Sequence, residues 1–241
     1  MNLAGNRIFT QINRPDKRLV ELFKDIPSSN INDEMERLYC MHDYIHPLND
    51  VPLLGTAFTV KTAIGDNLYI HEALDRAEPG DVLVIDGGGG RNRSLAGEIM
   101  LKMAYRKGLA GVIVDGCLRD LDGIRNLPMA VYAKGITPQG PYKNGPGEIN
   151  VPVACGGQVV FPGDILVGDA DGIVVIRPHD AEELAKRAAA RKHSEEKTFE
   201  LMDTDFEAYL ENHKTNTRKM GAGKKIEIYD QICSVTAQIN G

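Results

Sequence analysis

Val82-Leu-Val-Ile-Asp86-Gly-Gly-Gly-Gly90-Arg-Asn-Arg-Ser-Leu95-Ala-Gly97-Glu98-Ile99-Met100, followed at Gly111 by Gly111-Val-Ile-Val-Asp115-Gly-Cys-Leu-Arg119-Asp120, decides how the chain is read. Two short apolar runs each stop at an Asp-Gly pair. Between them Leu95, Ile99 and Met103 recur at helical spacing and predict one buried face, with Arg106 and Lys107 closing the helix. Strand, glycine loop, helix, strand and polar loop make a βαβ unit. Ligands of such sheets sit beyond the carboxyl ends of the strands. Both Asp-Gly pairs and Arg119-Asp120 fall at that edge, where the chemistry is expected.

Upstream, Ser28 to Glu34 supplies N-cap residues for a helix ahead of Met35, Leu38 and Tyr39. Leu53 to Val60 reads as a strand, and Leu68, Ile70, Leu74 and Ala77 as a helix closed by Pro79-Gly80. Downstream, Leu121 to Asn126 is a short helix and Met129 to Tyr132 a strand. Ile136 to Gly147 is too rich in Pro and Gly for regular structure and reads as an ordered, functional loop. Short strands follow at 149–153, 158–161, 165–167 and 172–176, then a helix from Ala181. Ile226 to Tyr229 forms one β-like patch in a polar end segment. The order fits an α/β fold of two packed sheets with helices outside: a core over 1–178 and a helical tail with an extension over 179–241, packing on the core or a neighbouring subunit.

A net charge of -6, with no Lys/Arg block, excludes a general nucleic-acid binder. No apolar run approaches membrane-spanning length, and the N-terminus lacks a signal-peptide core, so a cytoplasmic protein is expected. Cys40, Cys117, Cys155 and Cys233 are scattered without a CxxC pair, which points to free thiols rather than a zinc site. His42, His46 and His71 have no partners at metal-ligand spacing and read as structural or surface residues.

The ordered set Gly65-Asp66-Asn67-Leu68, Pro79-Gly80-Asp81 to Asp86, Gly97-Glu98-Ile99-Met100, Asp115 to Asp120 and Pro162-Gly163-Asp164 to Ile176 resembles the 4-hydroxy-4-methyl-2-oxoglutarate aldolase family, which shares its fold with the regulator of ribonuclease activity A. The resemblance spans about residues 28 to 200. It implies an RraA-like α-β-β-α sandwich, here with a C-terminal helical extension, and a homotrimer or hexamer with sites at subunit boundaries. Carried over to matching positions, it implies that the backbone of Gly97, Glu98, Ile99 and Met100 contacts the carboxylate and keto end of the substrate, that Arg119 binds substrate, and that Asp120 ligates Mg2+ or Mn2+. A tail glutamate of the neighbouring subunit, Glu195 or Glu196, would reach the site through water.

The activity so implied is a divalent-metal-dependent aldolase that cleaves a 4-hydroxy-2-oxo acid to pyruvate and a carbonyl compound. Oxaloacetate decarboxylation would run through the same enolate. The sequence leaves the group on C4 open. The alternative is a non-catalytic, ribonuclease-binding regulator, against which Asp120 argues. A methyltransferase, prompted by the glycine loop, lacks the acidic residue that a nucleotide-binding pattern needs about 20 positions on. Taken singly, Asp86-Gly-Gly-Gly-Gly is a tight turn, Arg119-Asp120 an ion pair or cap, and Arg91 and Arg93 solvated charges; only together, at family spacing, do these motifs indicate a site.

Overall fold

The computed structural model describes residues 4–223 and resolves two units, one ending at Lys192 and one beginning at His193. The expected β-like patch at 226–229 lies outside the described residues. In chain order the strands are β1 (His46–Pro47), β2 (Leu53–Thr62), β3 (Asp81–Asp86), β4 (Gly111–Leu118), β5 (Ala130–Ile136), β6 (Gly147–Ile149), β7 (Val153–Cys155), β8 (Gln158–Val160), β9 (Ile165–Asp169) and β10 (Gly172–Ile176). The helices are α1 (Lys17–Glu21), α2 (Ser28–Asp33), α3 (Leu68–Arg76), α4 (Glu98–Arg106), α5 (Leu121–Arg125), α6 (Ala181–Thr204) and α7 (Phe206–Lys219).

The βαβ reading holds: β2, β3, β4 and β5 run parallel, and α4 joins β3 to β4. The main sheet runs β1-β5-β4-β3-β2-β9-β10, with β6 beside β2, and β7 and β8 form a second, two-stranded sheet. The exposed edge of β2 is divided, its first half pairing antiparallel with β9 and its last three residues with β6. Period-two alternation sorts the side chains into layers. Leu83, Ile85, Val112, Val114 and Val131 face α3, α4 and α5. Val82, Val84, Ile113 and Tyr132 point inward, where they meet Leu166, Ile173 and Val175 of the last hairpin and Val153, Cys155 and Val160 of the small β7–β8 hairpin. Ile165, Val167, Val174 and Ile176 turn outward again onto Phe23, Ile31 and the first turns of α6. Helices, sheet, sheet and helices thus form the expected α-β-β-α layers from the main sheet and the small β7–β8 hairpin.

Local departures have local causes. The helix near residue 30 consists of Ser28–Asp33 itself, because Glu36, Arg37 and Tyr39 adopt left-handed φ of 54°, 62° and 61° and end it before Met35. The strand expected over 149–153 splits into β6 and β7, since Asn150 has φ 57° and Pro152 lacks an N–H. In α4 the buried residues are Leu101 and Ala104, whereas Ile99 is 85% and Met103 39% exposed; Leu95 is buried but precedes the helix. The face expected to be buried therefore points outward. The body continues past residue 178 because Ala181, Leu184, Ala185 and Ala188 of α6 pack on its core. Among the described residues no helix is long and apolar enough to cross a membrane.

Candidate active site

Two polar groups occupy the carboxyl edge of the parallel strands. The first closes the inner side. Asp86, at the end of β3, accepts hydrogen bonds from the Gly88 amide (3.0 Å) and from Lys61 (3.1 Å). Asp115, in β4, accepts from the amide of Gly156 in the β7–β8 turn (3.1 Å), and Lys134 stands 3.9 Å from its other oxygen. Both aspartates are buried. Their bonds tie the small hairpin and the glycine turn to the sheet.

The second group lines an open cleft of about 180 Å³, bounded by Gly97, Ile99 and Met100 of the α4 start, by Arg119 and Asp120, and by Asn67, His71, Pro141 and Lys143. Backbone bonds fix its frame. Leu95 donates to the Cys117 carbonyl (2.8 Å) and Arg119 to that of Ala96 (3.1 Å), which lays the α4 approach beside the exit of β4. The first α4 bond is Leu101 N–H to Gly97 C=O (3.1 Å), so the amides of Ile99 and Met100 have no intrahelical acceptor. Gly97 offers no capping side chain. Asp120 caps instead from α5, its Oδ2 accepting from the Glu98 amide at 3.0 Å. Asp120 adopts the left-handed conformation (φ 65°, ψ 47°), which Asp tolerates better than most residues.

Glycines make this approach possible. A Cβ on Gly97 would lie 2.3 Å from Asp120 Oδ2 and 3.0 Å from the Arg119 side chain. A Cβ on Gly140 would lie 3.2 Å from an Arg119 terminal nitrogen, so the guanidinium runs through a slot walled by two glycines. Arg119 Nε and Asp120 Oδ2 are 3.6 Å apart, and each side chain is 45% exposed. Of the residues singled out from sequence, Gly97, Ile99, Met100, Arg119 and Asp120 meet in the cleft. The Glu98 side chain turns away, to Lys102 at 2.9 Å. Glu195 and Glu196 lie on α6 in the second unit and are not among the residues lining the cleft. Arg93 serves structure: it donates to the Gly140 carbonyl (2.7 Å) and stacks on Tyr142 at 3.9 Å, holding the Pro- and Gly-rich loop that contributes Pro141 and Lys143.

Three polar lining residues, Asn67, His71 and Lys143, were not among the site residues expected from sequence, although Lys143 falls in the loop read as functional. His71 lines the cleft; burial, then the charge of Lys143, push its pKa below the usual histidine value against an opposing pull from Asp75. Lys143 adds a second cation. Asn67 donates to the Leu95 carbonyl (3.0 Å) and to Met100 Sδ (3.4 Å), so its orientation is fixed and its buried Oδ1 has no donor. The available signal was its position after Gly65-Asp66, at the head of α3.

A divalent cation can be weighed against these side chains. Among the described residues no group of three or more His, Cys, Asp or Glu could hold a metal. Asp120 alone fits a hard cation that keeps water and ligand oxygens around it, as Mg2+ and Mn2+ do, and does not fit zinc. Only Oδ2 of Asp120 is engaged by the protein among the described residues.

The sequence profile of the RraA-like family, described as Aldolase/RraA, matches residues 28–175. A putative 4-hydroxy-4-methyl-2-oxoglutarate aldolase of Halalkalibacterium halodurans is 40% identical over 194 residues, covering 78% of this chain and 92% of that protein. Among solved structures, Streptomyces coelicolor RraAS2, described as an unusual member of the RNase ES inhibitor RraA protein family, superposes with a TM-score of 0.70 at 29% identity, over 80% of this chain and all of that one. An uncharacterized protein from Pseudomonas syringae gives 0.72 at 24% identity, over 80% and 96% of the two chains, and shows the fold alone. Matched over more than half its length, the chain belongs to the Aldolase/RraA family.

Proposed function

We propose that the chain is a pyruvate-forming aldolase acting on a 4-hydroxy-2-oxo acid with a second anionic group, such as 4-hydroxy-4-methyl-2-oxoglutarate. The observation that carries this reading is the meeting of Asp120, Arg119 and the open α4 amides in one cleft. The 1-carboxylate binds the amides of Ile99 and Met100, where the helix start favours an anion. Arg119 donates to the keto oxygen. The C3–C4 bond breaks with its electron pair moving to C3, which leaves a pyruvate enolate. Charge grows on the keto oxygen, and a guanidinium, always protonated, stabilises it. The 4-hydroxyl loses its proton as C4 becomes a carbonyl. His71, its pKa held below the usual histidine value, takes that proton. Lys143 faces the distal anionic group. A Mg2+ or Mn2+ ion held by Asp120 would supply Lewis-acid polarisation of the keto oxygen. The proton on His71 returns through solvent water, which delivers one to C3 of the enolate and so gives pyruvate. Oxaloacetate reaches the same enolate by losing carbon dioxide and is the expected second substrate.

A homo-oligomer belongs to this reading. The outward α4 face, with Ile99, Met103 and Tyr105, borders the cleft and lines a groove of about 530 Å³. Covering it with another copy would close the cleft, and Glu195 or Glu196 is the tail carboxylate proposed to approach from the neighbour. The test is pyruvate release from 4-hydroxy-4-methyl-2-oxoglutarate and from oxaloacetate, with Mg2+ and then with EDTA. Metal-dependent turnover of both supports the aldolase. No turnover of either by folded, metal-supplied protein favours the second reading, a regulator that binds a ribonuclease, to which the likeness to RraAS2 leads.

A further inference from the structure

The second unit carries a pattern that the cleft does not use. Phe199, Met202, Phe206, Tyr209, His213, Asn216 and Met220 are spaced alternately by three and four positions; Phe206, Tyr209, His213 and Asn216 lie on α7, where they make a short a/d stripe, and the non-helical Asp205 separates them from α6. On α7 this seam is an aromatic ladder, with Phe206 and Tyr209 stacked at 5.9 Å and Tyr209 and His213 at 6.0 Å. Among the described residues α7 has no buried side chain: Phe206 is 55% exposed and Tyr209 half-buried, and Phe199 and Met220 on either side are 60% and 85% exposed. A 14-residue helix is at the edge of independent stability in water, even with the Asp205 side chain capping the Ala208 amide at 3.0 Å. The apolar seam therefore calls for a partner.

Charge names that partner and its direction. Phe199 to His213 contains five acidic residues (Glu200, Asp203, Asp205, Glu207 and Glu211) and no Lys or Arg. Lys214 to Met220 contains Lys214, Arg218 and Lys219 and no acid. A parallel pair would set acid on acid and base on base. An antiparallel pair sets each acidic half against the other's basic half.

We propose that the α7 helices of two copies of this chain pair antiparallel through the Phe206–Tyr209–His213 seam, joining subunits by a two-fold contact. In the register centred near residue 211, Tyr209 packs on the partner's His213, Phe206 on the partner's Asn216, and Asp205 faces the partner's Lys219. Asn212 then faces the partner's Asn212 across the axis, while Met220 lies about 27 Å from the partner's Met220, from the rise of 1.5 Å per residue. The inference does not depend on the catalytic reading.

Single cysteines test it in the full chain with Cys40 and Cys233 replaced by Ser. Under mild oxidation Asn212→Cys should give a disulfide-linked dimer on a non-reducing gel and Met220→Cys should not. Absence of the Asn212→Cys dimer overturns the pairing, and equal cross-linking at both positions overturns its direction. Adding Tyr209→Asp to Asn212→Cys should lower the cross-linked fraction at least about fivefold, the scale of a lost 1 kcal/mol contact; an unchanged yield would mean random collision and sink the proposal.

Discussion

The two polar groups at the carboxyl edge of the parallel sheet use the same residue type for opposite ends. Asp86 and Asp115 are buried and bonded to backbone amides of turns, so their charge is spent on holding the glycine loop and the β7–β8 hairpin. Asp120 is nearly half exposed, receives one amide bond and leaves an oxygen open to the cleft. Glycine serves both groups but admits different side chains: a Cβ on Gly97 would lie 2.3 Å from the Asp120 carboxylate, and a Cβ on Gly87 2.3 Å from Leu95, the plug of a packed turn. A carboxylate is available for chemistry where the fold keeps it partly unsatisfied, not simply where a strand ends.

The largest effect should come from removing the open carboxylate. Asp120→Ala is expected to lower pyruvate formation by at least about 10³-fold, since charge stabilisation and cation binding both fail. The lost α4 cap costs about 1 kcal/mol, so a thermal melt should still show a cooperative, slightly lowered transition. Gly97→Ala is the sharper probe. Gly97 has φ −138° and ψ −172°, which an alanine adopts without strain, yet its methyl would push the Asp120 carboxylate aside. Activity should fall about 10²-fold, the cost of an ångström-scale misplacement, with the melting temperature little changed. Full activity in this variant would break the contrast drawn above.

Much of this arrangement was legible beforehand. The unbroken apolar runs Val82 to Ile85 and Gly111 to Val114 specify strands buried on both faces, and the Asp-Gly stops place their ends at one edge. Periodicity is blind to which side of an amphipathic helix is inside, however. Helix α4 carries one stripe with Leu101 and Ala104 and another with Ile99 and Met103, and only the position of the sheet chooses the first. Asn67, His71 and Lys143 come from segments brought to Asp120 by long-range packing, so no local spacing announces them. The same limit applied to the sheet: strands 165–176 read as a second sheet because nothing local says that Leu53 to Thr56 pairs with Gly168 to Ile165.

Lys143 sharpens the cleft side of the comparison at a smaller scale. Lys143→Met should raise KM for a dicarboxylate about tenfold, or about 1.4 kcal/mol, while kcat changes little. It should also move the acid limb of kcat/KM. His71 must be neutral to accept a proton, and its pKa lies below 6.5 partly because the lysine charge opposes protonation. Activity therefore falls as pH drops through that lowered pKa. Removing the lysine raises the pKa, so the fall should begin at higher pH. A limb that stays in place, or moves down, would take His71 out of the proton transfer.

The buried side should give the smallest effect on catalysis and a visible one on stability. Asp115→Ala removes the acceptor of the Gly156 amide, and an unsatisfied buried amide costs about 1–3 kcal/mol. Part of that is returned, because the second oxygen of Asp115 is buried without a hydrogen bond and its desolvation ends with the substitution. A net loss of about 1–2 kcal/mol is expected in a urea titration, with kcat/KM of the remaining folded protein within about threefold of the parent, below the roughly 1 kcal/mol that fivefold represents. A catalytic loss approaching that of Asp120→Ala would mean that the inner aspartate governs the cleft through the shared exit of β4. The division between a structural and a chemical edge would then have to be abandoned.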